Sequence, residues 1–306
     1  MDGIINIYKE KGFTSHDVVA KLRGICGQKK IGHTGTLDPD AVGVLPVCLG
    51  KATRVAELLT EKDKEYEAVL RLGVKTDTLD ITGQVLEERP VSVSEEDIRE
   101  AVGAFVGTIR QVPPMYSALK VNGKKLYELA RAGKEVEREA REVTIHALEI
   151  LSVSLPLVTL RVHCSRGTYI RSLCDDLGER LGCGGCMESL KRTRSGVFSL
   201  SDAVPLSEVQ RRKEEGTIEE LLLPVDVLFA GCKAYRCPED LDKRLKNGNP
   251  LPFKALGPYA GAADAGLEGQ IQNVSRDLVR VYDFEGHFAG LYRIDEGLAR
   301  PEKVFF

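Results

Sequence analysis

The sequence lacks any apolar run long enough to cross a bilayer. A membrane-spanning helix needs about 20 consecutive, mostly apolar residues, and no stretch of the 306-residue chain reaches that length. The first residues, Met1, Asp2 and Gly3, also lack the basic and apolar succession of a secretory signal. We therefore expect a soluble, non-secreted protein that works in the cytoplasm.

The chain also lacks an excess of positive charge and any internal repeat. Its 43 Lys and Arg residues are balanced by 46 Asp and Glu residues, which gives a net charge of −3. This balance excludes a protein that binds nucleic acid through its overall charge. Any contact with nucleic acid must therefore come from local clusters of basic residues.

The eight cysteines form neither a disulfide framework nor a convincing metal site. They are scattered along a long chain, mostly within apolar segments, so we expect reduced, buried thiols. Only Cys183 and Cys186 have metal-ligand spacing, and Cys164 and Cys174 are the nearest further candidates. Without a second close pair, the sequence disfavours a zinc site.

The residues that are present suffice for a large core, since 42% of them are hydrophobic. Alternating apolar and polar residues predict strands at 64–73, 143–153 and 158–165. Apolar stripes at helical spacing predict helices that begin near Ser15 and Ser94 and a helix from Thr168 to Arg180. We also expect a helix over 52–60 and a short strand over 117–121. The irregular succession of helices and hairpin-like strands indicates an α+β fold with a mixed, mainly antiparallel sheet.

The pattern changes near residue 231, which predicts a second domain. Residues 1–230 form the larger predicted domain, and residues 231–306 contain short apolar runs separated by Asn-Gly and Glu-Gly turns, typical of a small β-rich domain. Within it, residues 257–269 are rich in Gly and Ala and predict a mobile loop.

The densest group of polar residues lies in a loop that precedes a buried strand. Residues 32–43 contain three glycines and a proline, which excludes a regular helix or strand there. The polar side chains of this loop belong to His33, Thr34, Thr36, Asp38 and Asp40. From spacing alone, both a simple turn and the edge of an active site remain open.

Two basic clusters also leave two interpretations open. Residues 114–141 carry seven basic and four acidic side chains together with Tyr116 and Tyr127, and Lys191, Arg192 and Arg194 form a second cluster. Either cluster is a solvated face or a surface that grips RNA phosphates.

The loop resembles the catalytic motif of the TruB family, the tRNA pseudouridine-55 synthases. The motif reads Gly-His-Thr-Gly-Thr-Leu-Asp-Pro and continues into Gly-Val-Leu-Pro and Lys-Ala-Thr. Further motifs that resemble the family begin at Lys9, Asp63, Gly73, Pro114, Cys164 and Ser189. The resemblance covers nearly the whole chain and is weakest after residue 231, and it implies that Asp38 is the essential residue.

The same resemblance assigns the other expected site residues. The expected catalytic residues are Asp38, Tyr66 and Arg171, where Arg171 is the fixed cation beside the carboxylate and Tyr66 stacks on the base. The expected substrate-binding residues are Lys9, His33, Tyr66, Tyr169 and Leu190. In this interpretation Tyr169 and the backbone near Leu190 hold the uracil edge, and His33 helps to keep the target base flipped.

The implied activity is the isomerisation of uridine to pseudouridine at position 55 in the T-loop of tRNA. The uridine is flipped out, its glycosidic bond is cleaved and the base is reattached through C5. The resemblance implies no cofactor, no metal, the T-arm of tRNA as partner, no protein partner and a monomer. It also implies an RNA-gripping thumb at about 114–142 and a C-terminal RNA-binding domain of the PUA type.

Two alternatives remain open at this stage. A guide-RNA-dependent pseudouridine synthase shares the catalytic motif but largely lacks the thumb. A tRNA-folding chaperone with secondary chemistry is an alternative from a different class of function.

Overall fold

The computed structural model describes residues 1–121, 123–262 and 277–306. Over these residues the helices are α1 (Ser15–Cys26), α2 (Ala56–Thr60), α3 (Glu95–Gly103), α4 (Leu126–Arg131), α5 (Ile170–Arg180), α6 (Leu206–Glu214) and α7 (Glu239–Lys246). The strands as far as residue 199 are β1 (Gly3–Lys9), β2 (Ile31–His33), β3 (Val42–Leu49), β4 (Lys64–Leu72), β5 (Val74–Thr76), β6 (Val85–Glu88), β7 (Gly107–Gln111), β8 (Lys120–Val121), β9 (Lys124–Lys125), β10 (Arg141–Ser154), β11 (Leu157–Cys164), β12 (Gly185–Ser195) and β13 (Phe198–Ser199). The later strands are β14 (Lys233–Arg236), β15 (Leu251–Pro252), β16 (Gly257–Pro258), β17 (Leu278–Tyr282), β18 (Phe288–Asp295) and β19 (Leu298–Val304).

The larger sheet has the order β1-β3-β12-β4-β11-β10-β7, with β2 beside β3 and β13 beside β12. Its pairs are antiparallel except for β12 and β3, which run parallel where Lys191 lies opposite Val42. This mixed, mainly antiparallel sheet with flanking helices confirms the predicted α+β class.

Local sequence signals account for most of these elements. At the start of α1 the Thr14 hydroxyl accepts from the Asp17 backbone, and the Asp17 carboxylate accepts in return from Thr14, which is the reciprocal bonding of a capping box. Ser94 and Asp97 begin α3 in the same way. Along β4 every second residue is buried, so the alternating pattern correctly predicts which face meets the core.

Some predicted boundaries are wrong. A helix predicted from Thr168 begins only at Ile170, because Tyr169 keeps an extended backbone with φ −97° and ψ 108°. The stretch 52–60, predicted as one helix, is a 3-10 helix over Gly50–Val55 followed by α2. In the stretch 117–121, predicted as a strand, only Lys120 and Val121 are paired.

The smaller sheet, in the order β15-β19-β18-β17-β14-β16, is the β-rich C-terminal part that the sequence predicts. It packs against the larger sheet through one shared apolar cluster, in which Ile4 and Val44 join Phe229, Leu291 and Phe305. Of the loop predicted at 257–269, the first two residues form β16 and the part from residue 263 lies outside the described residues.

The cysteines agree with the expectation from the sequence. All eight cysteines are free and buried, which confirms the prediction of reduced thiols. No helix within the described ranges is long and apolar enough to traverse a bilayer.

Candidate active site

The loop that carries Asp38 connects β2 to β3 and is held at both ends. Thr34 donates to the Pro46 carbonyl through its backbone N–H at 3.1 Å and through its hydroxyl at 3.2 Å. The Leu37 backbone N–H donates to the hydroxyl of Ser15 at 2.9 Å, at the start of α1. Because its neighbour Leu37 is anchored to a helix, the position of Asp38 is defined by the fold.

Lys9 supports the same loop through hydrogen bonds to backbone carbonyls. Its ammonium donates to the carbonyls of Glu10, Phe13 and Pro39 at 3.1, 2.6 and 3.0 Å, and its side chain is fully buried. Burial lowers the pKa of Lys9 to about 8, although the charges of Asp38 and Asp40 oppose the shift. Lys9 therefore touches the backbone beside Asp38 and presents no surface to a large ligand in this conformation.

Arg171 forms a two-pronged ion pair with Asp38. Its Nε lies 3.1 Å from Asp38 Oδ2, and its Nη2 donates to Asp38 Oδ1 at 3.3 Å, which is the fork geometry that a guanidinium makes with a carboxylate. The Asp38 side chain keeps 37% of its accessible surface, whereas Arg171 keeps 6%. A molecule arriving from solvent can therefore reach the carboxylate, while the cation stays covered.

The remaining Arg171 contacts involve residues that the sequence analysis left without a role. Its guanidinium donates to the carbonyls of Thr78 and Tyr116 at 3.1 and 2.7 Å, and it lies 3.6 Å from the Asp80 carboxylate. Arg171 is thus shared between two acids. Through the Tyr116 carbonyl it also contacts the basic segment 114–141, here called the basic arm. The sequence signal for Asp80 was present in the Thr-Asp-Thr-Leu-Asp motif, but nothing local links that motif to Arg171.

The pKa of Asp38 is raised above its ordinary value. Burial is the main cause, the Arg171 guanidinium opposes it, and the charge of Asp80 adds to it. Arg171 alone was expected to keep Asp38 ionised. Because burial outweighs the charge of Arg171, and the charge of Asp80 adds to the effect of burial, Asp38 holds its proton to a higher pH than a solvent-exposed aspartate does.

Tyr66 and Leu190 lie on adjacent strands and face the same core. On β4 and β12, Leu190 is opposite Ala68 and Tyr66 is opposite Arg192, and both side chains are buried. Burial raises the pKa of Tyr66, so its hydroxyl is protonated at neutral pH. The side chains of Tyr66 and Leu190 both belong to the apolar cluster that also contains Leu37, the residue before Asp38.

Tyr169 is fixed by Gln111, a residue that the sequence analysis did not single out. The Tyr169 backbone N–H donates to Gln111 Oε1 at 2.7 Å, and Gln111 Nε2 donates back to the Tyr169 carbonyl at 3.0 Å. Burial raises the pKa of Tyr169, and the charge of Asp38 again adds to the shift. Gln111 therefore fixes the backbone of Tyr169 immediately before α5, the helix that carries Arg171.

His33 lies at the end of β2, next to the loop that carries Asp38. Its Nδ1 accepts from the Gly35 backbone N–H at 3.3 Å. Burial, followed by the nearby charge of Arg192, lowers its pKa. The ring is therefore neutral at physiological pH and acts as a hydrogen-bonding group without a charge.

Arg192 is the main residue of this site that sequence reasoning placed wrongly. It was grouped with Lys191 and Arg194 as a surface cluster, but its side chain is almost fully buried. Its guanidinium donates to the carbonyls of Val44, Thr36 and Gly35 at 2.7, 3.4 and 3.3 Å. Strand alternation carried the missed signal, because a residue two positions from buried Leu190 faces the same side.

The neighbours of Arg192 behave differently. Lys191 pairs with Glu67 at 2.6 Å, and Arg194 lies 3.9 Å from Glu65. Both ion pairs are partly exposed on the other face of the sheet.

β3 also approaches β12 so closely that a Cβ on Gly43, whose φ is +106°, would meet the Arg192 carbonyl oxygen at 2.2 Å.

We expect Arg192→Met to destabilise the protein by about 3 kcal/mol, because three backbone carbonyls lose their buried donor. Turnover should fall as well, since two of those carbonyls belong to the loop that carries Asp38. The matched control is Arg194→Met, which should cost less than about 1 kcal/mol because it breaks a partly exposed ion pair. Urea unfolding of both variants measures the difference, and equal losses would contradict the structural assignment.

The basic arm presents a hairpin and a short helix next to the site. Lys125 donates to the Tyr127 hydroxyl at 3.2 Å, and Arg131 lies over the Tyr127 ring at 5.5 Å. Lys124 and Lys134 are exposed. The arm thus combines an aromatic centre with basic side chains that point to solvent.

Two solved structures share the overall arrangement of this chain. One is a chain in the structure of an H/ACA ribonucleoprotein bound to a substrate RNA containing 2′-deoxyuridine, with a TM-score of 0.70 and 26% identity over 99% of this chain and 85% of that chain. Another is a chain in a Cbf5–Nop10–Gar1 complex, with a TM-score of 0.71 and 28% identity over the same shares.

Sequence comparisons are more specific. Residues 23–170 match the family model described as TruB family pseudouridylate synthase, N-terminal domain, and residues 171–230 match the tRNA pseudouridylate synthase B C-terminal domain. The protein is similar to the tRNA pseudouridine synthase B of Lachnoclostridium phytofermentans, with 52% identity over the full length of both chains. It is also similar to the enzyme of that name from Clostridium acetobutylicum, with 45% identity over 97% of this chain and 96% of the relative. The chain therefore belongs to the TruB family of pseudouridylate synthases, which are isomerases.

Proposed function

We propose that this protein isomerises uridine 55 in the T-loop of tRNA to pseudouridine, with Asp38 as the reactive carboxylate. The observation that carries the proposal is the contrast between Asp38 and Arg171: the carboxylate keeps 37% of its surface, while the guanidinium that holds it keeps 6%. A reaction at a flipped-out nucleotide requires a carboxylate that is held in position and accessible to the substrate. It also requires that the cation paired with this carboxylate be buried.

The reaction conserves atoms and electrons within the substrate. The N1–C1′ bond breaks, the uracil turns, a C5–C1′ bond forms, C5 loses its proton to solvent and N1 gains one. No redox step occurs, so the chemistry calls for a carboxylate and proton transfers rather than for a redox cofactor. Asp38 can act as nucleophile at C1′ or C6, or as base toward the sugar, and each role uses its ionised form.

The aromatic residues around Asp38 fit a flipped base. Taking a uridine out of its stack costs a few kcal/mol, and stacking on an aromatic ring returns about 1 to 3 kcal/mol per base. In this proposal Tyr66 stacks on the uracil, Tyr169 and the backbone near Leu190 hold its edge, and His33 occupies the space that the base leaves. Lys9 and Arg192 act on the reaction only through the backbone of the Asp38 loop.

The basic arm favours a stand-alone enzyme over a guide-dependent one. Residues 114–142 carry the exposed Lys120, Lys124 and Lys134 beside the site, and RNA phosphates are their natural ligands. We assign this arm as the thumb that grips the T-arm and residues 231–306 as a PUA-like RNA-binding domain attached to the catalytic domain 1–230. The protein would then act as a cytoplasmic monomer without a guide RNA or a protein partner.

Unmodified tRNA labelled with tritium at uracil C5 tests this function. The protein alone should release tritium from wild-type transcript, and replacing the T-loop uridine 55 by cytidine should abolish the release. A requirement for guide RNA, or release that is unchanged by the substitution at position 55, would overturn the proposal.

A Tyr66→Phe variant should separate stacking from proton transfer. Phenylalanine keeps the aromatic face, so the KM for tRNA should stay within about two-fold of wild type, whereas kcat should fall by about 10²-fold or more if the hydroxyl moves a proton. Tyr66→Leu should lose both contributions. Single-turnover kinetics with both variants measure this, and a fully active Tyr66→Phe would remove the hydroxyl from the mechanism.

A further inference from the structure

Two histidines and an aspartate meet on the face of the larger sheet opposite to Tyr66. On β11 His163 lies across from Glu65 of β4, one residue away from the Val162–Tyr66 pair. Since neighbouring residues of a strand face opposite sides, His163 points away from the core that contains Tyr66. Nothing in the proposed reaction uses this cluster.

A β-bulge places the second histidine beside the first. In the β10–β11 ladder Ile145 is opposite Cys164 and Ala147 is opposite His163, so His146 is the extra residue of the register shift. The imidazole rings of His146 and His163 have centroids 4.8 Å apart and are tilted by 49°. Asp63 reaches the same point from the loop immediately before β4.

The three side chains have a spacing that suits a metal ion. His146 Nε2 lies 3.3 Å and His163 Nε2 lies 4.0 Å from Asp63 Oδ2, and one ligand atom from each residue falls within 4.8 Å of the others. Ligands about 2.0 to 2.2 Å from a tetrahedral Zn²⁺ are about 3.3 to 3.5 Å apart. The distance from His146 Nε2 to Asp63 Oδ2 already fits this value. Small side-chain rotations would bring His163 Nε2 to the same spacing.

His163 has a buried ring nitrogen, Nε2, that the described residues leave without a hydrogen bond. A buried nitrogen without a partner costs free energy, and coordination to a cation satisfies it.

The surrounding charges allow a cation. Glu65 accepts from the Thr193 hydroxyl at 3.0 Å and lies 3.9 Å from Arg194, so these two charges offset each other. The Asp63 carboxylate is left as the net charge of the cluster. Imidazole ligands favour Zn²⁺ and its transition-metal neighbours over Mg²⁺ and Ca²⁺.

We infer that this protein binds one divalent transition-metal ion of the Zn²⁺ type through Asp63, His146 and His163. Solvent completes the fourth position. The ion joins β10, β11 and the start of β4, and β11 leads directly into the segment that carries Tyr169 and Arg171. Its expected role is therefore to stabilise the fold, and catalysis at Asp38 does not depend on it.

Metal titration of the full-length protein tests the inference. After treatment with EDTA and dialysis, calorimetric titration with ZnCl₂ should give one bound ion per chain, and Tm should rise with ZnCl₂ but not with MgCl₂. Co²⁺ in place of Zn²⁺ should give the visible absorption of a four-coordinate site. Removing one of three ligands in His146→Ala, His163→Ala or Asp63→Asn should weaken Zn²⁺ binding by about 100-fold or more.

The control is His287→Ala. His287 belongs to a second group with Asp283 and Glu285 that also has metal-like spacing, but there the Asp283 carboxylate already accepts from the backbone of Glu285 and His287. This variant should bind Zn²⁺ as wild type does. The inference is overturned if wild type binds no Zn²⁺, if the three variants bind it unchanged, or if only His287→Ala loses it. Circular dichroism without metal verifies that each variant is folded. If a histidine variant does not fold, Asp63→Asn still tests the inference, because the Asp63 side chain is partly exposed.

Discussion

We expect an Asp38→Asn variant to form no measurable pseudouridine, a loss of about 10⁴-fold or more, because asparagine can act neither as nucleophile nor as base. The amide has nearly the same shape and still accepts a hydrogen bond from Arg171. The variant should therefore keep its tRNA Kd within a few-fold of wild type. Single-turnover tritium release and filter binding measure the two quantities.

The same variant should not lose stability at neutral pH. Burial raises the folded-state pKa of Asp38, so its favourable contribution to stability exists at acidic pH and is lost as the pH rises through that pKa. Removing the ionised carboxylate at pH 7 leaves Arg171 paired with Asp80. We expect the Tm of Asp38→Asn to equal or exceed that of wild type. The variant would then lose activity without losing stability.

Asp40→Asn is the matched control for Asp38→Asn. Asp40 lies two positions further along the loop, is exposed and faces Lys11 at 3.7 Å. This variant should react at the wild-type rate. Comparable losses in both variants, or residual turnover in Asp38→Asn above a few per cent, would remove Asp38 from the proposed role.

The raised pKa also sets the pH dependence of the reaction. If the ionised form of Asp38 reacts, single-turnover rates should fall on the acidic side with a midpoint above the ordinary range of an aspartate. The Asp80→Asn variant should move this midpoint to lower pH, because one of the charges that raises the pKa of Asp38 is then removed.

The second large effect is expected for Arg171→Met. The Arg171 guanidinium is the shared partner of Asp38 and Asp80 and donates to the carbonyls of Thr78 and Tyr116. Removing one partner of a buried pair leaves uncompensated charge, which typically costs about 3 to 5 kcal/mol. We expect a loss of stability of this size together with a fall in kcat of about 10³-fold.

Two further variants separate the causes of the Arg171 effect. The double variant Asp38→Asn/Arg171→Met should recover part of the stability, because one of the two unpaired carboxylates is gone, while activity stays absent. Arg161→Met removes a partly exposed arginine that pairs with Glu149 at 3.0 Å and should cost less than about 1 kcal/mol. Urea unfolding measures all three, and an Arg171→Met loss no larger than that of Arg161→Met would contradict the assigned role of Arg171.

Much of the fold could be predicted because its signals are local. The capping residues Thr14 and Ser94 mark two helix starts, and the alternation along 64–72 identifies both a strand and its buried face. The motif around Asp38 predicted the proposed reactive loop before any contact was known. These features depend on neighbours within a few positions, where the periodicity of helices and strands determines which side chains lie together.

The rest was decided by tertiary packing, which joins residues that are distant in the chain. Asp80 meets Arg171, Gln111 fixes Tyr169, and buried Arg192 holds the Asp38 loop, although the sequence grouped Arg192 with its exposed neighbours. Asp63, His146 and His163 meet only because a β-bulge in β10 places His146 beside His163. The sequence by itself predicted the proposed reactive carboxylate and most elements of the fold. The tertiary structure decided the partners of that carboxylate, because Asp38 and Asp80 lie in loops and Arg171 lies in α5, and only the packing of these elements brings the three side chains together.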